Sequence, residues 1–291
     1  MSTAASILAS MRPKQWSKNL IVFAPALFGG VLVDADVAIR VSAAFLVLCG
    51  VSGAVYLLND LHDAAADRVY ERTRLRPIAA GMLAPRTAAA GALVVVTVSG
   101  VAAFALDTDF GLALVAYVVL QIAYTIWLKR LAIVDVLAIC AGFVLRAVAG
   151  ARIADVPDSP WLLVCAALLV SFLAAAKRRQ ELDDLGVAAP PHRPVLARHP
   201  VPALDVLLSA LLGATLVSYL AYTMLSATAL VHPLMVLTAP PVVYGLFRYL
   251  ALVFSEDAAS APAEDILFAD TGVLAAVLLW LVTVATIVYV A

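Results

Sequence analysis

Residues 55–81 read VYLLNDLHDAAADRVYERTRLRPIAAG. From Asn59 to Arg76 this stretch holds one Asn, three Asp and five Arg or Glu, in a chain that is 64% hydrophobic and only 13% charged. Asn59 and Asp60 follow directly on the apolar run AVYLL, so the charge begins where a greasy helix ends. The acids fall at Asp60, Asp63 and Asp67, spacings of three and four that put them on one helical face within reach of one another. Left bare they would repel, and at a membrane edge like charges are costly unless a cation neutralises them. Oxygen donors without His or Cys favour Mg2+ over zinc, and Mg2+ usually binds one or two carboxylates together with substrate phosphates. Asn59, Asp60, Asp63 and Asp67 are therefore the candidate metal ligands. Arg68, Arg72, Arg74 and Arg76 follow as a compact block able to grip phosphate oxygens. The plain alternative is a solvated helix end whose acids pair with those same arginines.

Outward from this stretch the chain is apolar almost throughout. A mean hydropathy of +1.02 over 291 residues is far above that of soluble domains. The expected fold is all-α: a polytopic membrane protein forming a single integral membrane domain over 1–291. Nine transmembrane helices are expected at about 19–34, 41–59, 87–106, 110–128, 132–152, 160–177, 203–226, 230–253 and 271–290. No stretch alternates long enough for a barrel, so helices must satisfy the backbone. The polar head MSTAASILASMRPKQWSKN has no cleavage site behind a short apolar core, and the first span is expected to stay as a helix. Cys49, Cys140 and Cys165 fall inside spans without metal or disulfide spacing.

Basic residues orient the spans. With the N-terminus in the cytoplasm, fifteen of the nineteen Lys and Arg fall in the head and in loops 2/3, 4/5 and 6/7, and Arg248 near loop 8/9 makes sixteen. The other loops carry Asp34, Asp36, Asp107, Asp109, Asp155 and Asp158 but hardly any cation. This asymmetry places the protein in the inner or plasma membrane, with the opening stretch cytoplasmic and the C-terminus outside.

A second polar group lies at the end of the sixth span in AAAKRRQELDD, where Lys177, Glu181 and Asp184 share a face and form the expected opposite wall of a cytoplasmic cleft. Alone it would read as a snorkelling anchor with an ordinary ion pair. Arg146 lies deep in the fifth span, where an unpaired cation costs roughly 2.5 kcal/mol or more, so it needs a partner or a polar cavity. Asp135 is too far along that helix to serve. Trp16, Tyr124 and Trp127 are expected at the interface. His192 and His199 read as loop residues.

With these residues in view, the chain resembles the UbiA superfamily of intramembrane prenyltransferases, which implies a nine-helix bundle with a cytoplasmic-side cleft. NDLHDAAADR matches that family's first motif, N-D-x-x-D-x-x-x-D, without gaps. The family's usual second aspartate pair is replaced by KRRQEL. Together with RPKQWSKN (12–19), RLRPIAAG (74–81), YTIWLK (124–129) and GFVLRAVAGA (142–151), this is similar to the decaprenyl-phosphate phosphoribosyltransferase branch. The resemblance implies Mg2+-dependent transfer of a 5-phosphoribosyl group from phosphoribosyl pyrophosphate (PRPP) to a polyprenyl (decaprenyl) phosphate, a step toward arabinan donors for the cell wall. It assigns catalysis to Asp60, Asp63 and Asp67. It assigns substrate contacts to Lys18, Asn59, Arg68, Arg74, Arg76, Tyr124, Lys129, Arg146, Lys177, Arg178 and Glu181, with Glu181 as a ribose-hydroxyl acceptor or the orienter of Lys177. Partners are these substrates and membrane lipid, with no nucleic acid; a homo-oligomer such as a trimer is compatible with the sequence. The chain departs from the branch at Tyr70, Glu71 and Thr73 and in APAEDILFADT, where Thr271 stands in place of Arg. Two rivals are a prenyltransferase acting on an aromatic acceptor, weakened by the missing second aspartate pair, and an ion-coupled transporter, weakened by the lack of inverted repeats.

Overall fold

A chain this apolar has one economical way to pair its backbone in lipid, and every regular element among the described residues is helical. The computed structural model describes residues 2–70, 73–131, 133–185, 201–255 and 265–290. Glu71, Arg72, His192, Arg193, Arg198, His199 and the first four residues of APAEDILFADT lie outside the described residues. Eight helices among the described residues are long and apolar enough to cross a membrane, making this a multi-pass membrane protein.

In order, the helices are α1 (Thr3–Ser10), α2 (Ala24–Phe28), α3 (Ala35–Val69), α4 (Pro85–Leu106), α5 (Thr108–Ile126), α6 (Val134–Ile153), α7 (Pro160–Leu185), α8 (Val201–Leu225), α9 (Ala227–Val231), α10 (Ala239–Val253), α11 (Ile266–Ala269) and α12 (Thr271–Tyr289). Their ends follow local chemistry. Asp34 caps α3 by accepting from the Asp36 amide at 2.8 Å. Proline opens α4 and α7, where its missing N–H costs nothing. Asp107 ends α4 and caps α5 through the Phe110 amide at 2.8 Å, so one residue makes the hairpin turn.

The first expected span, 19–34, is a correction. Residues Pro13–Phe23 form a 3₁₀ stretch, followed only by the short α2. Pro25 removes a helical donor, and Gly29 followed by Gly30 at φ 73° stops the helix. The stretch still runs antiparallel beside α3: Met11 lies at Gly53, Asn19 at Cys49 and Ser52, and Phe23 at Phe45. The eighth expected span also begins irregularly, with a 3₁₀ turn at Pro233–Thr238 before α10. The polar head, expected only as a cytoplasmic flank, is helical, and its Ile7 and Met11 pack on Ala54, Leu57, Ile78, Leu83, Ala88 and Ala92.

Packing divides the chain into two compact units. The first comprises residues 1–26, 31–129 and 145–157. Its larger core gathers Val41, Ala44, Leu48 and Val51 of α3, Phe110, Leu114 and Tyr117 of α5, and Ala149 and Ile153 of α6. The second comprises 27–30, 130–144 and 158–291. Its core joins Phe172, Ala175 and Ala176 of α7 with Leu208 and Leu212 of α8, Leu246 and Tyr249 of α10, and Val273 of α12. Tyr289 donates to the Leu27 carbonyl at 3.0 Å, and Phe28 packs edge-on to Tyr222, which ties residues 27–30 to this unit. Leu93, Val94, Val98 and Val101 of α4 and Leu112, Val115, Val119 and Ile122 of α5 stay exposed, as lipid-facing residues do.

α3 positions the acidic stretch by length. At 35 residues it is about 52 Å long, against roughly 30 Å of hydrocarbon, so it is longer than a crossing needs, and its polar residues gather in the final turns.

Close packing in the first unit depends on Gly150, because helices in lipid associate through small residues. A Cβ there would lie 2.2 Å from the Val22 carbonyl oxygen. Gly150→Ala is expected to destabilise the protein by about 1–3 kcal/mol, read as a lower unfolding temperature in detergent. Gly213→Ala, with nothing within 4 Å, should be neutral or slightly stabilising.

Candidate active site

Asp60, Asp63 and Asp67 lie on the last turns of α3. Asp60 is 2% and Asp67 7% exposed, whereas Asp63 is half-buried. Seven residues are two helical turns, so Asp60 and Asp67 stack; Asp63 is displaced around the helix and meets a different partner. The three therefore form a pair and a neighbour on the helix.

Each acid is met by a cation. Arg76 Nη1 donates to Asp67 Oδ2 at 2.7 Å and to Asp60 Oδ1 at 3.3 Å. The loop aiming it is anchored by Ile78 and Leu83, which are 1% and 2% exposed, and by the Leu83 amide donating to the Pro77 carbonyl at 3.0 Å. Lys129, in the turn Leu128–Arg130 after α5, donates to both Asp63 oxygens at 2.7 Å and to Asn59 Oδ1 at 3.4 Å. Arg12 donates to Asp60 Oδ1 and stacks 4.8 Å over the Tyr56 ring. Arg12 was not among the sequence-assigned contacts; the signal that could have found it is its place at the head of RPKQWSKN. Arg68 and Arg74 are exposed, and Lys18 and Tyr124 are half-buried.

A divalent ion fits this donor set in part. Among the described residues no three His, Cys, Asp or Glu side chains surround one point. Two cationic nitrogens nevertheless already sit between oxygen donors, one between Asp60 and Asp67 and one between Asn59 and Asp63. Sites of one or two carboxylates suit Mg2+, which completes its shell with water and phosphate.

Arg146 is 5% exposed and finds neutral partners in the first unit: Nε donates to Asn19 Oδ1 at 2.8 Å, Nη2 to the Tyr117 hydroxyl at 2.6 Å, and the guanidinium lies 4.4 Å over the Tyr117 ring. Asn19, wholly buried, also donates to Ser52 at 3.1 Å. Neither partner stood out in the sequence.

The second unit holds the KRRQEL group. Arg178 Nε donates to Asp135 Oδ2 at 2.9 Å and Nη1 to Glu181 Oε2 at 2.8 Å. Glu181 is thus also held by Arg178, three residues away, a partner the sequence reading did not name. Asp135, wholly buried, proves to be Arg178's partner. Arg179 holds Asp205 at 2.7 Å.

Two departures have structural accounts. The Thr73 hydroxyl donates to the Asp67 carbonyl at 3.2 Å, satisfying one of the free carbonyls at the end of α3. Thr271 begins α12 beside Asp270, which caps that helix through the Val273 amide and pairs with Arg248 at 2.9 Å. The Arg248 guanidinium holds the Asp270 carboxyl below its ordinary range. Trp127 is 61% exposed, while Trp16 donates to the Met11 carbonyl at 3.2 Å.

The sequence pattern of the UbiA prenyltransferase family matches residues 22–270. A decaprenyl-phosphate phosphoribosyltransferase from Mycolicibacterium smegmatis is 38% identical over 183 residues, 62% of this chain and 58% of that protein. A protein of the same name from Corynebacterium glutamicum is 36% identical over 183 residues, 62% of this chain and 55% of its own length. The matches thus span less than two thirds of the length of these relatives. A solved UbiA homolog from Archaeoglobus fulgidus bound to GPP and Mg2+ has a TM-score of 0.70, covering 97% of this chain and 99% of that one at 15% identity. At that identity the likeness concerns the fold.

The Asp135–Arg178 pair can be tested apart from activity. Removing one partner of a buried ion pair leaves the other charge uncompensated, so Arg178→Gln should cost about 3–5 kcal/mol. Arg178→Gln combined with Asp135→Asn should recover much of that loss in thermal unfolding.

Proposed function

The chain belongs to the UbiA prenyltransferase family, and we propose that it transfers a 5-phosphoribosyl group from PRPP to a polyprenyl phosphate such as decaprenyl phosphate, releasing pyrophosphate at the cytoplasmic face. The observation that carries the reading is the interleaving of Asp60, Asp63 and Asp67 with Arg12, Arg76 and Lys129, which sets oxygen donors for a metal beside cations for phosphate. The names of the two relatives supply the substrate class.

In the proposed reaction the bond from the anomeric carbon to the pyrophosphate oxygen breaks, its electron pair leaves with pyrophosphate, and an oxygen of the acceptor phosphate bonds to that carbon with inversion. The acceptor oxygen is already anionic near neutral pH, so no strong base is required. Asn59, Asp60, Asp63 and Asp67 would hold Mg2+, which when bound supplies positive charge against the leaving pyrophosphate. Arg76 and Lys129 exchange carboxylate oxygens for phosphate oxygens as the donor enters. Arg68, Arg74 and Lys18 are assigned to the remaining phosphate charge, and Tyr124 to packing on substrate. Lys177 and Arg178 are assigned to phosphate, and Glu181, held by Arg178, to a ribose hydroxyl. Arg146 acts through Asn19 and Tyr117, which it holds in place. Synthesis of arabinan precursors for the cell wall is the role that follows for such a product.

Membranes containing the protein, given labelled PRPP and polyprenyl phosphate, should form lipid-linked label with Mg2+ and none with EDTA. Asp63→Ala should lower that rate by about 100-fold or more while leaving insertion intact. Full activity of that variant would remove the metal assignment. Label moved instead from a prenyl diphosphate to an aromatic acid would establish the rival prenyltransferase.

A further inference from the structure

Arg12 reaches Asp60 from a segment built to hold it there. It adopts φ 53° although it is not glycine and precedes Pro13, a residue that disfavours compact backbone before it. Met11 fixes its neighbour's position: a Cβ at Gly53 would lie 2.9 Å from Met11 Cβ, so α3 leaves room for this side chain and no more. Met11 and Ile7 pack on Ala54 and Leu57, the Met11 carbonyl accepts from Trp16, and the Tyr56 ring lies under the Arg12 guanidinium. Four contacts thus aim one cation at a carboxylate that is 2% exposed and already shared with Arg76.

Among the described residues, the three acids and the three cations named here match in charge. Asp60, Asp63 and Asp67 carry three negative charges; Arg12, Arg76 and Lys129 carry three positive ones. A divalent ion entering alone would leave these six side chains with two net positive charges, and would have to displace a guanidinium from a carboxylate that is only 2% exposed. A diphosphate entering with the ion brings compensating negative charge and gives the displaced guanidinium a new partner.

We propose that Arg12 is a built-in counter-cation that occupies Asp60 in the substrate-free protein and yields it to a divalent metal only when a diphosphate arrives, so that metal and diphosphate bind together. This rests on the metal-diphosphate reading above and adds its order and its gatekeeper. By linkage, each ligand must raise the affinity for the other by the same factor.

Metal uptake tests this without the transfer reaction. The purified full-length protein in detergent is equilibrated with Mn2+ at matched free concentrations, with and without inorganic pyrophosphate, and bound Mn2+ is counted by electron paramagnetic resonance after dialysis. The wild type should bind Mn2+ weakly alone and roughly tenfold or more tighter with pyrophosphate. Arg12→Gln should bind Mn2+ alone roughly tenfold tighter than wild type, the fold-change for one charge-assisted hydrogen bond that no longer has to be broken. Its pyrophosphate enhancement should shrink. Arg12→Lys, which keeps the charge but loses the planar fork, should fall between them and carries the test if Arg12→Gln does not fold. Lys14→Gln, at an exposed cation of the same segment, should match wild type. A merely structural Arg12 would lose metal affinity on substitution rather than gain it. Unchanged Mn2+ affinity in both Arg12 variants, beside a wild type that shows the enhancement, overturns this inference alone. A wild type that takes up no Mn2+ even with pyrophosphate overturns both this inference and the metal role assigned above.

Discussion

Charge taken out of water must be balanced from within the protein, and at the end of α3 that requirement governs everything around it. Asp60 and Asp67 are buried because the N-terminal helix and the loop after α3 pack over its final turns. Each acid draws its cation from a different part of the chain: Arg12 from before the first long helix, Arg76 from the loop that follows it, Lys129 from the turn after α5. Three separate segments are thereby committed to one place. The apolar anchors Met11, Ile78 and Leu83 hold two of those segments where their cations can reach.

The same rule recurs elsewhere in the chain with different solutions. Arg146 is accommodated through an amide, a hydroxyl and an aromatic face. Arg178 is accommodated through two carboxylates, one wholly buried. The contrast matters for function. An amide, a hydroxyl and a ring position the Arg146 guanidinium, whereas two acids hold that of Arg178. Arg178 thus has a fixed direction from which to orient Glu181, and Arg146 fixes Asn19 and Tyr117 in the first unit.

Departures from the family pattern lose some of their weight as functional signals once their contacts are seen. Thr73 closes the end of the helix that bears the acidic motif, and Thr271 opens a helix whose cap is Asp270. Thr73 does local backbone work. A basic residue lost there removes charge from the neighbourhood without disturbing Asn59 or the three acids, which keep the family's spacing.

The sequence by itself determined the solvent, the helical class and the acidic motif, because hydropathy and residue spacing along one helix are local properties. It named Arg76 and Lys129, which pair with Asp67 and Asp63, and recognised that Arg146 needs a partner. It misjudged residues 19–34, since apolar composition says nothing of how Pro25 and two successive glycines break a helix into 3₁₀ and short α segments. Only the tertiary structure decided who pairs with whom. Asp60 with Arg12 is a contact across 48 residues, Arg146 with Asn19 one across 127, and Asp135 with Arg178 one across 43. Such partners are chosen by which side chains packing brings together at low dielectric, and no periodicity along the chain records that choice.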